Sequence, residues 1–216
     1  MRKLLFVLVL LLIPASLFAQ DWRRGYGYRP YADNFFELSP YVGYRYGGTI
    51  YANQTTLFNQ NVDVNSAVNF GINFAIPVQN GWKIELLADR QNTQFGGGGG
   101  LFSPNNNLGD FDITYFQGGI LIPFAQSRSA TPYFALDAGV ANLDPRVSGA
   151  TSSTRFAAGG AIGVKVPINR NLGIKIEERG FFTSLSNSNN NCRGCFYTYN
   201  HDLYQGETNV GVFFRF

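Results

Sequence analysis

The sequence predicts an all-β fold, an eight-stranded antiparallel up-and-down transmembrane β-barrel. Three observations lead there. Eight segments read as strands, all but the fourth alternating apolar with polar or small residues at a period of two, and the connections between them alternate long and short. The chain also closes on a strand whose apolar side chains, Val210, Val212, Phe214 and Phe216, fall at every second position. That stripe is expected to face lipid, with Asn209, Gly211, Phe213 and Arg215 facing the barrel interior.

Residues 1–19 have the three parts of a secretory signal peptide. Arg2 and Lys3 give a positive start, Leu4 to Ile13 an unbroken apolar run, and Pro14 to Ala19 a small-residue exit. The run is shorter than the ~20 residues a spanning helix needs. Cleavage is expected after Ala19. No cysteine follows it, so a lipoprotein anchor is not expected. Residues 20–35 then form a periplasmic lead-in rich in arginine and aromatics, and residues 36–216 the barrel.

The strands follow in order. In the first, about 36–46, Phe36, Leu38, Val42, Tyr44 and Tyr46 oppose Glu37, Ser39, Gly43 and Arg45. In the second, about 67–76, Val68, Phe70, Ile72, Phe74 and Ile76 oppose Asn69, Gly71, Asn73 and Ala75. The third, about 82–91, sets Trp82, Ile84, Leu86 and Ala88 against Lys83, Glu85, Leu87 and Asp89. The fourth, about 111–122, is apolar on both sides, and its phase is ambiguous. The fifth, about 133–141, sets Phe134, Leu136, Ala138 and Val140 against Ala135, Asp137 and Gly139. The sixth, about 155–166, opposes Phe156, Ala158, Ile162 and Val164 to Gly159, Ala161, Gly163 and Lys165. The seventh starts at Leu172, with Ile174 and Ile176 opposite Lys175, Glu177 and Arg179. The eighth runs from about 204 to 216.

Connections 47–66, 92–110, 142–154 and 182–203 are long, and 77–81 and 167–171 are short, with 123–132 between. Long external loops and short periplasmic turns place both termini in the periplasm. Composition agrees. Charged residues make up 14% of the chain, against about 25% in ordinary soluble domains. The formal charge of +3 falls to about +1 without Arg2 and Lys3, which gives no bias towards nucleic acid.

Alternation also describes a soluble barrel, so the two faces decide the solvent. One carries bulky apolar residues, with Tyr44, Tyr46, Trp82, Tyr204 and Phe216 near strand ends, where interfacial girdles form. The other mixes small residues with opposed charges: Glu37, Arg45, Lys83, Glu85, Asp89, Asp137, Arg155, Lys165, Lys175, Glu177, Arg179, Glu207 and Arg215. Buried charges need partners, and eight strands leave room only for side chains. Glu37, Lys83, Glu85, Lys175, Glu177 and Arg215 are therefore expected to form a plug rather than line a channel. Glu178 falls on the lipid side; either a bulge near Glu177 returns it to the lumen or the strand's lower boundary lies elsewhere.

The ending GVFFRF, the segment YVGYRY at 41–46 and PYFALDAGVA at 132–141 resemble the small eight-stranded outer-membrane proteins of the OmpA transmembrane, OmpX and opacity-protein kind. The resemblance covers about 36–216. A departure from OmpA proper is that no peptidoglycan-binding domain is expected after the barrel. The resemblance implies an outer-membrane protein in contact with lipid and lipopolysaccharide, folded by the assembly machinery that recognises C-terminal strands such as Val212, Phe214 and Phe216. Relatives include adhesins, resistance factors, narrow pores and lipid-modifying enzymes. A monomer with a structural or surface-interaction role, adhesion or resistance, is the expected function, with a small diffusion pore as the first alternative and a lipid A-modifying enzyme as the second.

Catalysis, cofactors and metals are not expected. His201 is the only histidine. Outer-membrane lipid A deacylases carry a serine two residues after theirs, and Leu203 stands there here. Ser184, Ser186 and Ser188 would have to substitute through space. Cys192 and Cys195 spell C-R-G-C, which suits a redox pair, half a zinc site or a local disulfide. An oxidising envelope favours the disulfide. The run Gly96 to Gly100 lacks the strand-to-helix setting of a phosphate loop.

Overall fold

A computed structural model of the chain describes residues 34–50, 62–78, 81–97, 107–124, 129–146, 152–185 and 202–216. The leader, most of the lead-in, Ser186, Ser188, Cys192, Cys195 and His201 lie outside the described residues. Among the described residues there are ten strands: β1 (Glu37–Tyr46), β2 (Thr49–Ile50), β3 (Val62–Val64), β4 (Ala67–Pro77), β5 (Lys83–Gly97), β6 (Asn107–Pro123), β7 (Thr131–Arg146), β8 (Ser153–Pro167), β9 (Leu172–Thr183) and β10 (Leu203–Arg215).

Eight of them close a barrel. β1, β4, β5, β6, β7, β8, β9 and β10 pair antiparallel in that order, and β10 returns to β1. The seam ends in a reciprocal pair, Phe36 N donating to Phe216 O and Phe216 N to Phe36 O, both at 3.1 Å. Hydrogen-bonded partners followed once around the wall, from Tyr46 on β1 to Ile76 on β4, come back opposite Phe36, ten residues along β1. Such a stagger tilts the strands and leaves an interior that side chains can fill.

One rim, the terminal rim, holds Phe36, Phe216 and the short turns. The β4–β5 turn bonds Val78 N to Trp82 O at 2.8 Å and needs Gly81, whose φ is 79°. At the β8–β9 turn, Asn169 Oδ1 accepts from Asn171 N and Leu172 N at 2.9 and 2.8 Å. The long connections leave from the opposite, distal rim.

The structure departs from the sequence reading of the strands in two places and resolves it in a third. β2 and β3 arise inside the first long connection, which was expected to be loop throughout. β5, β6 and β7 run several residues past their expected ends on the distal side. β6 has one definite phase: Phe111, Ile113, Tyr115, Gln117 and Leu121 point inward, while Phe116, Gly118 and Ile120 are exposed on the outer wall.

Candidate functional site: the filled lumen

Inward-facing glycines make room for large lumenal side chains. A Cβ at Gly71 would collide with the Tyr41 ring, and one at Gly163 with the Tyr133 ring. Into that space the strands project the charged face in successive levels.

Nearest the terminal rim, Glu37 gathers three cations. Lys83 Nζ lies 2.9 Å from it, Arg215 Nε donates at 3.0 Å, and Lys165 Nζ also donates. Next, Arg179 is the hub of a second cluster. It donates to Glu85 at 2.5 Å, to Glu177 at 3.0 Å and to Asp137, while Lys175 lies 3.0 Å from Glu177 and 3.7 Å from Glu85. Tyr133 Oη donates to Glu177 at 2.7 Å.

The third level belongs to Arg45. It donates to Glu207 through Nε (2.9 Å) and Nη2 (2.6 Å), and Nη2 also reaches Asp89. Tyr41 Oη and Asn69 Nδ2 donate to Asp89 at 2.9 and 2.8 Å, and Asn209 Nδ2 to Glu207 at 2.7 Å. Above it the chemistry changes. The Arg45 guanidinium lies 4.8 Å from the Tyr115 ring centroid and 4.7 Å from that of Phe181. Beyond Tyr115, whose hydroxyl meets Thr183 (2.9 Å) and Gln205 (3.0 Å), the interior turns mainly apolar, with Gln91 and Thr93 as its buried polar members. Val64, Phe95, Phe111, Leu143, Leu185 and Leu203 form one buried cluster, with Phe95 and Phe111 stacked at 4.3 Å.

All twelve residues expected in the lumenal network, Glu37, Arg45, Lys83, Glu85, Asp89, Asp137, Lys165, Lys175, Glu177, Arg179, Glu207 and Arg215, take part in these pairs. Six cations face six carboxylates, so the interior is neutral and each ion has a partner where water is excluded. Arg155, on the same face, is half-buried near the distal rim and joins none of them. The tyrosines of these clusters, Tyr41, Tyr115 and Tyr133, escaped the sequence reading, which placed Asn69 and Asn209 on the inward face without naming them in the network. Their parity with Arg45, Asp137 and Glu207 was the available signal.

Glu178 stays outside. Its strand pairs without a bulge, Thr208 opposite Glu178 and Asn209 opposite Glu177, which removes the bulge as a route back to the lumen. Two hydroxyls from neighbouring strands serve it instead: Thr208 Oγ1 donates at 2.6 Å, and Tyr46 Oη donates as well. Val212, Phe214 and Phe216 line the outer wall of β10, and Phe216 stacks with Phe36 and Phe74 at 6.2 and 6.5 Å. Ser184, the one described member of the serine trio, follows the end of β9, with its N–H on Phe156 O at 2.9 Å.

With this geometry in hand, the chain can be set beside solved structures. It is similar to the outer membrane protein OprG from Pseudomonas aeruginosa, with a TM-score of 0.56 and 12% identity over 86% of this chain and 97% of that one. The fold is that of the small outer-membrane barrels. Neisserial surface protein A (TM-score 0.53, 12% identity, 84% of this chain and 97% of that one) has it too. So does the outer membrane protein AlkL, solved in lipid bilayers (TM-score 0.55, 12% identity, 90% and 95%). No family model matches the chain, and no curated protein sequence does.

Proposed function

We propose that this chain is an outer-membrane barrel exported by its leader, residues 1–19, with the distal rim and its long connections outside the cell. It serves there as a structural or interaction protein of the surface, in an adhesion or resistance role, and acts neither as a diffusion pore nor as an enzyme. Its partners are the surrounding lipid and lipopolysaccharide and, during biogenesis, the assembly machinery that engages Val212, Phe214 and Phe216. It works as a monomer.

The observation that carries this reading is the filled lumen. Three ionic levels close the lower and middle interior, and an apolar cluster caps them, so a hydrated ion would have to break buried pairs and then cross a greasy constriction. With the interior occupied, the distal connections are what remains to meet partners. Conductance across a planar bilayer tests this. The purified, leader-free protein is expected to insert without producing current steps; reproducible open-state conductance would overturn the closed-barrel reading in favour of a pore.

A further inference from the structure

On the outer wall of β5, β6 and β7, the side chains turn from apolar to polar towards the distal rim, and there they are organised. Cross-strand rows run Arg90–Thr114–Asn142, Asn92–Asp112–Asp144 and Gln94–Asp110–Arg146. Asp112 anchors the patch. Only 6% exposed, it accepts from Arg90 Nη2 at 2.9 Å and Arg146 Nη2 at 2.6 Å through the same oxygen. Arg90 Nε also donates to Asn92 at 3.1 Å, and Gln94 to Asp110 at 3.1 Å. Both arginine side chains remain more than half exposed, at 55% and 56%.

Beside this patch the wall is notched. β4 pairs with β5 as far as Asn69 opposite Gln91, and β3 resumes at Val64 opposite Phe95, one residue out of step. The chain bulges at Asn65 and Ser66, held by Asn65 N on Gln94 O at 3.0 Å and by the Thr93 hydroxyl on Asn65 O. The notch is a pocket of about 360 Å³ lined by Asn65, Ser66, Asn92, Gln94, Asp110 and Arg146, with Asp112 at its floor. That size lies at the small end of ligand sites, roughly 300–1,000 Å³.

Its chemistry interleaves donors and acceptors: amides, a hydroxyl, carboxylates and a guanidinium. Two arginines against Asp110, Asp112 and Asp144 leave the charge near balance, so recognition here would come from sugar hydroxyls rather than from a headgroup's phosphates. Its position adds the second half of the ligand. Phe70 pairs directly with Arg90, and Phe70, Phe116 and Val140 are exposed on the apolar wall immediately below. A molecule seated in the notch would have sugar above the boundary and hydrocarbon beneath it.

We propose that this notch binds the saccharide headgroup of a membrane glycolipid, whose acyl chains lie on Phe70, Phe116 and Val140. The inference rests on the reading that the distal rim faces outward from a membrane. It is tested with leader-free full chain in detergent, titrated with rough-type lipopolysaccharide and followed by native mass spectrometry. Free core oligosaccharide and phosphatidylglycerol serve as separate arms.

Wild type should retain lipopolysaccharide, phosphatidylglycerol should not displace it, and the free oligosaccharide should bind at least tenfold more weakly. Arg146→Ala and the double variant Asn92→Ala, Gln94→Ala should each weaken retention at least tenfold while keeping the heat-modifiable gel shift of a folded barrel. Variants that bind like wild type would overturn the site. Displacement by phosphatidylglycerol would show charge attraction instead, and equal binding of the free oligosaccharide a soluble-sugar site; either overturns the proposal. Failure of binding in a protein that still inserts without conductance sinks this inference alone, whereas a barrel monodisperse in detergent-free buffer would sink the membrane reading beneath it.

Discussion

The barrel is built twice, with opposite polarity. Near the terminal rim, Ile84, Leu86, Phe116, Ile120 and Leu136 cover the outside while Glu37, Glu85, Lys175 and Arg179 fill the inside. Near the distal rim the same strands β5, β6 and β7 put Arg90, Gln94, Asp110 and Arg146 outside and Phe95, Phe111, Ile113 and Leu143 inside. The backbone alternation never changes phase between the two. What changes is the solvent beyond the wall: hydrocarbon rewards an apolar exterior and forces polar groups to pair within, whereas water rewards the arrangement of an ordinary soluble barrel. A single run of hydrogen-bonded ladders therefore carries a membrane barrel with a soluble-type collar stacked upon it.

The largest effect should come from the ionic half. Arg179→Met removes the one cation shared by Glu85, Glu177 and Asp137, leaving buried carboxylates short of charge. A loss of about 3–5 kcal/mol is expected, read as a shift in the urea unfolding midpoint in lipid vesicles at constant slope. A loss under ~1 kcal/mol would mean that water reaches this level and that the lower interior is not the closed plug described.

The boundary itself can be located by two substitutions on the same strand and the same face. Phe116→Arg places a cation on the apolar wall, where about 2–4 kcal/mol should be lost near the midplane and less towards the interface. Thr114→Arg, two residues further towards the distal rim and beside Arg90 and Asn142, should change stability by no more than ~0.5 kcal/mol. Equal costs would abolish the distinction between wall and collar on β6.

That boundary also explains what the sequence disclosed and what it hid. β4 was legible because Val68 to Ile76 lies wholly within one regime, apolar on one face and polar or small on the other. β6 was not, because it crosses both: Phe111, Ile113 and Tyr115 are apolar inward in the collar, and Phe116, Ile120 and Ile122 are apolar outward below it. A single period-two pattern cannot register an inversion of solvent. The lumenal ions were readable by parity, since Lys83, Glu85 and Asp89 share a face in any register. Their pairing was not, because Arg45 and Glu207 stand 162 residues apart. Likewise the Arg90–Asp112–Arg146 patch belongs to three strands and exists only once β5, β6 and β7 have paired in register.

The smallest effect, and the finest test of the wall, concerns Glu178. Six residues along β9 from Leu172, it sits among outward residues Ile174, Ile176 and Phe182, where a carboxyl is disfavoured. The hydroxyls of Thr208 and Tyr46 offset part of that cost by donating to it. Glu178→Leu removes the polar group from hydrocarbon but strips both hydroxyls of their acceptor, so the two consequences oppose. A net gain of up to about 1 kcal/mol is expected in lipid vesicles, since an acidic group costs less than the ~2–4 kcal/mol of a basic one and each lost hydrogen bond returns roughly 0.5–1.5 kcal/mol. Adding Tyr46→Phe to Glu178→Leu removes one stranded hydroxyl and should raise the gain further. A net loss above ~1 kcal/mol in the single variant, undiminished in the double, would show that the carboxyl contributes more than its two hydroxyl contacts and that this stretch of β9 does not face hydrocarbon.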